Sequence, residues 1–341
     1  MPVVSSRIFA ALVLGLGITV APVAHAQGAP KGAPPDRGQT QASLVFQILA
    51  SELALAQGQI GVAAATYLNI ARQTQDPVAA RRATELSIDA RAPQRAEEAA
   101  AIWLRNAPQD KEAQGTLDLL QIATGENEKL VRSLLARRRT LAAEPDGARK
   151  IEELYDYVAG LVGRAPEKAD GLRIFERVTE ADRDKSGVIY TRAMLHERAG
   201  QYQDMEQILR SLIARDPAHA HAHNALGYHL ADRNERLSEA LKLIERALAL
   251  APEDAHIIDS MGWVQFRLGR LDLAEKYLRM AHQRQPDAEI SAHLAEVLWV
   301  SGRGDEAEVL LRSAFLSDPR NEVLQGTLKR LGIPASRIHP R

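Results

Sequence analysis

The chain of 341 residues contains no cysteine. That excludes disulfides, thiolate metal sites, a cysteine nucleophile and a lipid-bearing cysteine anchor. Aromatic residues make up only 4%. A core so poor in large rings and rich in alanine brings backbones close, which favours packed helices over a β-sandwich. Neither sign of charge is in excess, with 43 Lys and Arg against 44 Asp and Glu. No global field therefore draws the chain to nucleic acid or to an anionic membrane. Apolar runs are short as well. The longest candidate, Ile8 to Val20, falls below the roughly 20 residues that span a bilayer.

That run lies in an N-terminal segment with the features of a secretory signal. Arg7 supplies the basic end, and Ala24-His25-Ala26 fits the small-x-small cleavage rule. Residues 1–26 are expected to be a signal peptide, with Gln27 as the new N-terminus. An uncleaved anchor is the alternative, but the run is short and Pro22 follows it. Because position 27 is Gln, the chain lacks the cysteine of a bacterial lipoprotein. Residues 27–41, with Pro30, Pro34 and Pro35 among glycines, read as a flexible linker. The expected location is the periplasm of a Gram-negative bacterium, with no integral membrane segment after cleavage.

Beyond the linker the chain repeats itself. Pro217, Pro252, Pro286 and Pro319 recur at intervals of 35, 34 and 33 residues. Ala247, Ala281 and Ala314 keep step with them, and Gly200, Gly269 and Gly302 mark turns between helical patterns. The segments ALGYHLADRNERLSEALKLIERALALAP, SMGWVQFRLGRLDLAEKYLRMAHQRQP and HLAEVLWVSGRGDEAEVLLRSAFLSDP align on these marks.

This pattern resembles the tetratricopeptide repeat (TPR) family. Leu226-Gly227, Met261-Gly262 and Leu294-Ala295 occupy the family's large-then-small pair in helix A. Ala240, Ala274 and Ala307 occupy the small position that opens helix B. Small residues at a crossing let helices approach, and larger ones would overpack. The match is strongest over 220–319. In 186–217, Met205 and Leu212 replace the small residues; in the next unit the turn around Asn234 is one residue longer than the consensus. Upstream, helix–turn–helix pairs are expected near 42–75, 77–107, 110–142 and 147–182, with a capping helix over 320–332. The resemblance implies an all-α, right-handed TPR superhelical solenoid of about eight helix–turn–helix units. Its expected divisions are degenerate repeats over 42–182, TPR repeats and cap over 183–332, and a tail over 333–341.

Few residues suggest chemistry. His196-Glu197 opens like a zinc motif, but the second histidine position holds Gly200. His219, His221 and His223, with His229 nearby, could catch a metal ion, yet a dedicated site needs more ligands and support. Adjacent pairs such as Glu97-Glu98 diverge around a helix. The Arg137-Arg138-Arg139 run reads as a solvated helix end. No phosphate loop or nucleophile elbow is present. No enzyme activity, metal or cofactor is expected.

In the TPR family, ligands lie on a concave face lined by set positions of helix A. Mapped onto this sequence, those positions give Tyr190 and Met194, then His221, Asn224, Tyr228 and Asp232. The next unit gives His256, Asp259, Trp263, Phe266 and Arg267, and the last gives Glu289, Glu296 and Trp299. Two roles are open to this stripe: binding a partner, or packing one helix A on the next. The binding set is Tyr190, Asn224, Tyr228, Asp259, Trp263, Phe266, Arg267, Glu296 and Trp299, since Tyr, Trp and Arg anchor hot spots. Trp263 and Trp299 are expected to face one channel. The family's Lys and Asn clamp for a terminal carboxylate is not reproduced.

The runs GYHLADR, IIDSMGW and AEVLW are also similar to exported proteobacterial TPR adaptors. Some of those are outer-membrane lipoproteins that deliver substrates to a carboxyl-terminal processing protease, and here the anchoring cysteine is missing. The expected function is a periplasmic scaffold or adaptor for protein or peptide partners. The alternative is a glycan-binding component of envelope polysaccharide or peptidoglycan machinery, with the aromatic residues as sugar platforms.

Overall fold

The computed structural model describes residues 37–338, and the described residues contain helices and no strand. Eight consecutive helical pairs account for most of the chain. They are α1 (Arg37–Ala56) with α2 (Ile60–Thr74), α3 (Pro77–Asp89) with α4 (Pro93–Asn106), and α5 (Lys111–Thr124) with α6 (Asn127–Ala142). Next come α7 (Gly147–Val162) with α8 (Lys168–Thr179), and α9 (Ser186–Arg198) with α10 (Tyr202–Arg215). The last three pairs are α11 (Ala220–Asp232) with α12 (Leu237–Leu250), α13 (Ala255–Arg267) with α14 (Leu271–Arg284), and α15 (Ala288–Val300) with α16 (Gly304–Ser317). Helix α17 (Glu322–Leu331) and the short α18 (Ala335–Ile338) close the C-terminal end.

Local chemistry sets these boundaries. Asp254 accepts hydrogen bonds from the backbone N–H groups of His256 (2.9 Å) and Ile257 (3.2 Å) and so starts α13. Asp110, Asp287 and Asn321 do the same for α5, α15 and α17. The periodic prolines follow the ends of α10, α12, α14 and α16, where they stop helix B. Within repeats, the turn residues Gly269 and Gly302 have φ of 76° and 81°, the left-handed region open to glycine. The longer turn between α11 and α12 reaches the same geometry through Asn234 (φ 57°) and Arg236 (φ 44°). The additional residue is thus absorbed in the loop, and the pairing of α11 with α12 is kept.

The small residues sit at the helix crossings. A Cβ on Gly227 would lie 2.6 Å from Cγ1 of Ile244 and 3.0 Å from the Ala240 carbonyl oxygen. A Cβ on Gly262 would lie 2.5 Å from Cγ of Leu278 and 3.1 Å from the Ala274 carbonyl oxygen. Ala240, Ala274 and Ala307 are fully buried, as are Ala247 and Ala281. Met205, Leu209 and Leu212 fill the looser α9–α10 unit and are equally buried.

The upstream pairs use larger side chains and polar staples. Leu130, Leu134, Val158, Phe175 and Val178 form one buried cluster across α6, α7 and α8. Arg138 donates to the Tyr155 hydroxyl (2.6 Å) and to Asp182 (2.6 Å), while the Tyr155 hydroxyl donates to Asp182 (2.5 Å). Burial pushes the Asp182 carboxyl up, but the hydrogen bonds from Tyr155, Arg138 and Lys185 outweigh it and bring it down to about 2.

Two expected boundaries change. Helix α1 begins at Arg37, inside the segment read as linker. The tail carries α18, whose Ile338 is buried against the last repeat. The expected signal peptide and residues 27–36 lie outside the described residues.

Two outcomes follow from this packing. Ala274→Leu should overpack the α13–α14 crossing by about 1–3 kcal/mol. Because a solenoid couples mainly to nearest neighbours, hydrogen exchange should quicken over 255–317 and stay unchanged over 37–142. Asp182, depressed from its ordinary value, contributes stability above pH about 4 that is lost as pH falls toward 2. Acid titration followed by circular dichroism should therefore show Asp182→Asn less stable than wild type at neutral pH by about 2 kcal/mol, with the difference vanishing near pH 2.

Candidate functional site

The aromatic stripe expected to line a channel is largely packed away. Trp263 is 0% exposed. Its ring stacks on His293 at 4.2 Å and leans on Phe266 at 5.2 Å. Arg267 and Arg330 lie over the ring, 5.7 Å and 5.5 Å from its centroid. Trp299 faces a different place. It packs beside Gly304 at the start of α16, with Arg337 of α18 over its ring at 5.9 Å. The two tryptophans therefore do not share a channel. Trp263 is core beneath the capping helix, and Trp299 is held between the last hairpin and the tail.

The polar members of the stripe are also engaged. Asp259 accepts from Nδ1 of His293 at 2.8 Å, with both side chains buried. Glu296 is buried and gripped by Arg330 (2.7 Å) and Thr327 (3.0 Å) of α17. Arg267 donates to the Ala231 carbonyl at 3.1 Å. Tyr190 stacks on His219 at 5.3 Å. The Oδ1 atom of Asn224 is buried with no hydrogen-bond partner among the described residues, as are Oδ1 of Asp259 and Nε1 of Trp263. The histidine cluster is used locally. His219 caps α11 by accepting from the Ala222 N–H, and His223 bonds the Pro217 carbonyl.

His293 joins three A helices. Its Nδ1 meets Asp259 of α13, and its Nε2 lies 3.4 Å from the Tyr228 hydroxyl of α11. The chain Asp–His–Tyr has the order of an acid–base relay, but His293 is fully buried and no substrate atom can reach it. Burial alone would lower the His293 pKa, and the neighbouring Asp259 carboxylate overcomes it and holds the pKa above the ordinary value. Sequence reasoning misses His293 because the family's groove positions skip it. Its neighbour Asp259 is on the mapped stripe, and the pairing crosses a repeat boundary.

Tyr228, half-buried, belongs to the predicted binding set. It lines a cleft of about 1070 Å³ between the ends of α9 and α11, the start of α15, and the α16–α17 connection. The cleft holds Glu197, Asp232 and Glu289, and none of these carboxylates forms an ion pair or side-chain hydrogen bond among the described residues. Arg198, Arg233, Arg320 and Arg330 line the remaining wall. Burial raises the carboxyl pKa of Glu197; the neighbouring Arg198 charge opposes the shift, and the charges of Glu289 and Asp232 add to it. Glu289 is raised for the same primary reason, with Asp259 and Asp287 contributing. Burial likewise drives the Tyr228 phenol well above its usual range. Asp232 and Glu289 are on the mapped stripe. Glu197 enters the sequence reading only as part of a failed zinc motif, although it ends helix A as Asp232 does.

Stacked helix pairs with small residues at the α11–α12 and α13–α14 crossings define a helical-repeat scaffold. Residues 190–255 and 260–319 match the tetratricopeptide repeat family. A TPR repeat-containing protein of Pseudomonas aeruginosa is 50% identical over 144 residues, which are 42% of this chain and 24% of that protein. The match thus spans about a quarter of that relative's length. Among solved structures, a thermophilic TPR protein of Thermus thermophilus is 23% identical, with a TM-score of 0.46 over 55% of this chain and 99% of its own. A tetratricopeptide repeat protein of Parabacteroides merdae is 15% identical, with a TM-score of 0.48 over 73% of this chain and 96% of its own.

The burial of Trp263 predicts a stability effect and no direct effect on a ligand. Trp263→Ala should cost about 3–5 kcal/mol, read by urea unfolding. A second outcome concerns pH. The raised His293 pKa contributes stability that is complete below its unfolded value of about 6.5 and is lost as pH rises through the folded value. Urea midpoints should therefore fall on the alkaline side in wild type, and this slope should flatten in Asp259→Asn.

Proposed function

We propose that this chain is an exported scaffold that binds an extended peptide segment of a protein partner in the cleft around Tyr228. The observation that carries the reading is the set of three carboxylates, Glu197, Asp232 and Glu289, left without cationic partners beside that tyrosine. Glu197 and Glu289, partly buried and with raised carboxyl pKa values, are complemented by a lysine or arginine side chain, which restores the charge pairing that burial removed. Arg198 and Arg320, which line the same cleft and form no ion pair among the described residues, suit acidic or carbonyl groups of the same segment.

Export to the periplasm is supported by Arg7, the Ile8–Val20 run and the Ala24-His25-Ala26 site. In that compartment the chain acts as an adaptor, and handing substrates to an envelope protease is the form of that role suggested by its likeness to exported TPR adaptors. The glycan alternative relies on exposed aromatic residues, the tryptophans among them, as stacking platforms. Trp263 is buried and Trp299 lies under Arg337, so no observation favours it.

A photo-crosslinking residue in place of Tyr228 should capture the partner from envelope extract, whereas one in place of the exposed Lys276 on α14 should not. The double change Glu197→Gln with Glu289→Gln should weaken binding of the captured segment by about tenfold or more while leaving the helical signal intact. Wild-type binding should strengthen as pH rises through the raised carboxyl pKa values. Equal crosslinking from both positions would place the partner elsewhere. N-terminal sequencing of the native protein should begin at Gln27, and an intact Met1 would remove the export arm.

A further inference from the structure

The two ends of the helical stack are unlike. At the C-terminal end, α17 and α18 cover the last repeat, and Leu324, Leu328, Ile333 and Ile338 are buried there. At the other end, α1 is apolar nearly all round, and only one face is used. Ser51 and Ala54 are buried on the side of α2, whereas Val45, Phe46, Leu49 and Leu53 are 58%, 72%, 64% and 61% exposed. These four follow one another at helical spacing and form a continuous row along the outer face. In later units the corresponding face lies against the preceding helix B, as α3 lies against α2 through Leu68, Ala71, Ala79 and Ala80. On α1 the row has no repeat before it among the described residues.

We propose that this face is covered by the α1 of a second copy, packed antiparallel about a two-fold axis near Leu49. Charge is the first reason. Glu52 is the one charged side chain of α1 from residue 41 onward, and it is turned onto its own unit, accepting from the Tyr67 hydroxyl at 2.7 Å. Two such faces meet without burying an unpaired charge, which would otherwise oppose association. Symmetry is the second. At the C-terminal end α17 and α18 cover the last repeat, and the exposed apolar side chains there are Val300, Val309 and Leu316, fewer than on α1, so the row is matched best by itself. In the two-fold arrangement, Leu53 of one copy packs on Val45 of the other.

Area is the third reason. The exposed row, with Ile48 on the same helix, presents on the order of 500 Å² per copy, at the upper end for a monomer patch. Doubling it reaches roughly the 1,000 Å² that a specific interface needs. The residues just before the helix do not compete well for it. Positions 27–36, QGAPKGAPPD, contain no Val, Leu, Ile, Met or aromatic side chain to fill the row.

Sedimentation equilibrium of the native protein, purified as its cells process it, tests the proposal. The expected mass is twice the value found for the same sample by denaturing mass spectrometry. Leu49→Glu and, separately, Leu53→Glu should each weaken the dimer at least about tenfold, with unchanged helical circular dichroism. Because the chain has no cysteine, Leu49→Cys gives a single thiol near the axis. That variant should form a disulfide-linked dimer on mild oxidation, whereas Lys276→Cys should not. A monomeric wild type overturns the proposal, whether α1 is then covered by the chain's own N-terminal segment, by a lipid vesicle or by another protein. A dimer that survives both glutamate substitutions and leaves the Leu49→Cys variant uncrosslinked overturns it equally.

Discussion

The distance between the two helices of a unit is set where a glycine meets a branched side chain. At Gly227 and Gly262 there is no room for a methyl group, because Ile244 and Leu278 and the carbonyls of Ala240 and Ala274 already fill it. Close approach at that point orients the rest of each helix, and the alanines above and below extend the same short separation. The next unit must then be laid on a surface whose shape is already decided. A solenoid transmits geometry only through neighbours, so a small residue at each crossing controls the path of the whole stack. The α9–α10 unit, with Met205 and Leu212 in place of small residues, relaxes this constraint without breaking the pairing.

Cap and groove are coupled through Arg330. It grips Glu296, lies over the ring of Trp263, and also lines the cleft beside Tyr228. Helix α17 therefore does more than shield an apolar end. It converts Trp263 from a groove residue into core, and it leaves the cleft to tyrosine and charge. The buried Asp259–His293–Tyr228 chain ties α13, α15 and α11 together beneath that surface. A polar chain of this kind rigidifies when its members are paired.

Ion pairing divides along the same lines. Between B helices, Arg210 bridges Glu206 and Glu239, and Arg279 bridges Glu275 and Glu306, at partly exposed positions where each pair adds little stability. Inside the cleft, Glu197, Asp232 and Glu289 lack such partners. The contrast separates charges that lace repeats together from charges that form no ion pair among the described residues.

Sequence by itself determined the helix pairs, their order and the strong C-terminal repeats. Those features are local: capping aspartates, prolines after helix B, glycine turns and small residues at recurring intervals act within a few residues of themselves. It also identified the helix positions that turn toward the inner side, including Tyr228, Asp232 and Glu289. Which of those positions stay open was not legible, because exposure depends on what arrives from other units. Trp263 and Trp299 hold similar places in the pattern, yet one is buried under Arg330 and His293 and the other lies under Arg337. Glu296 carries no local sign of being claimed by α17, and Glu197 none of facing a shared cleft. Tertiary structure alone decided these matters, since burial and pairing arise only when helices distant in sequence close over the same space.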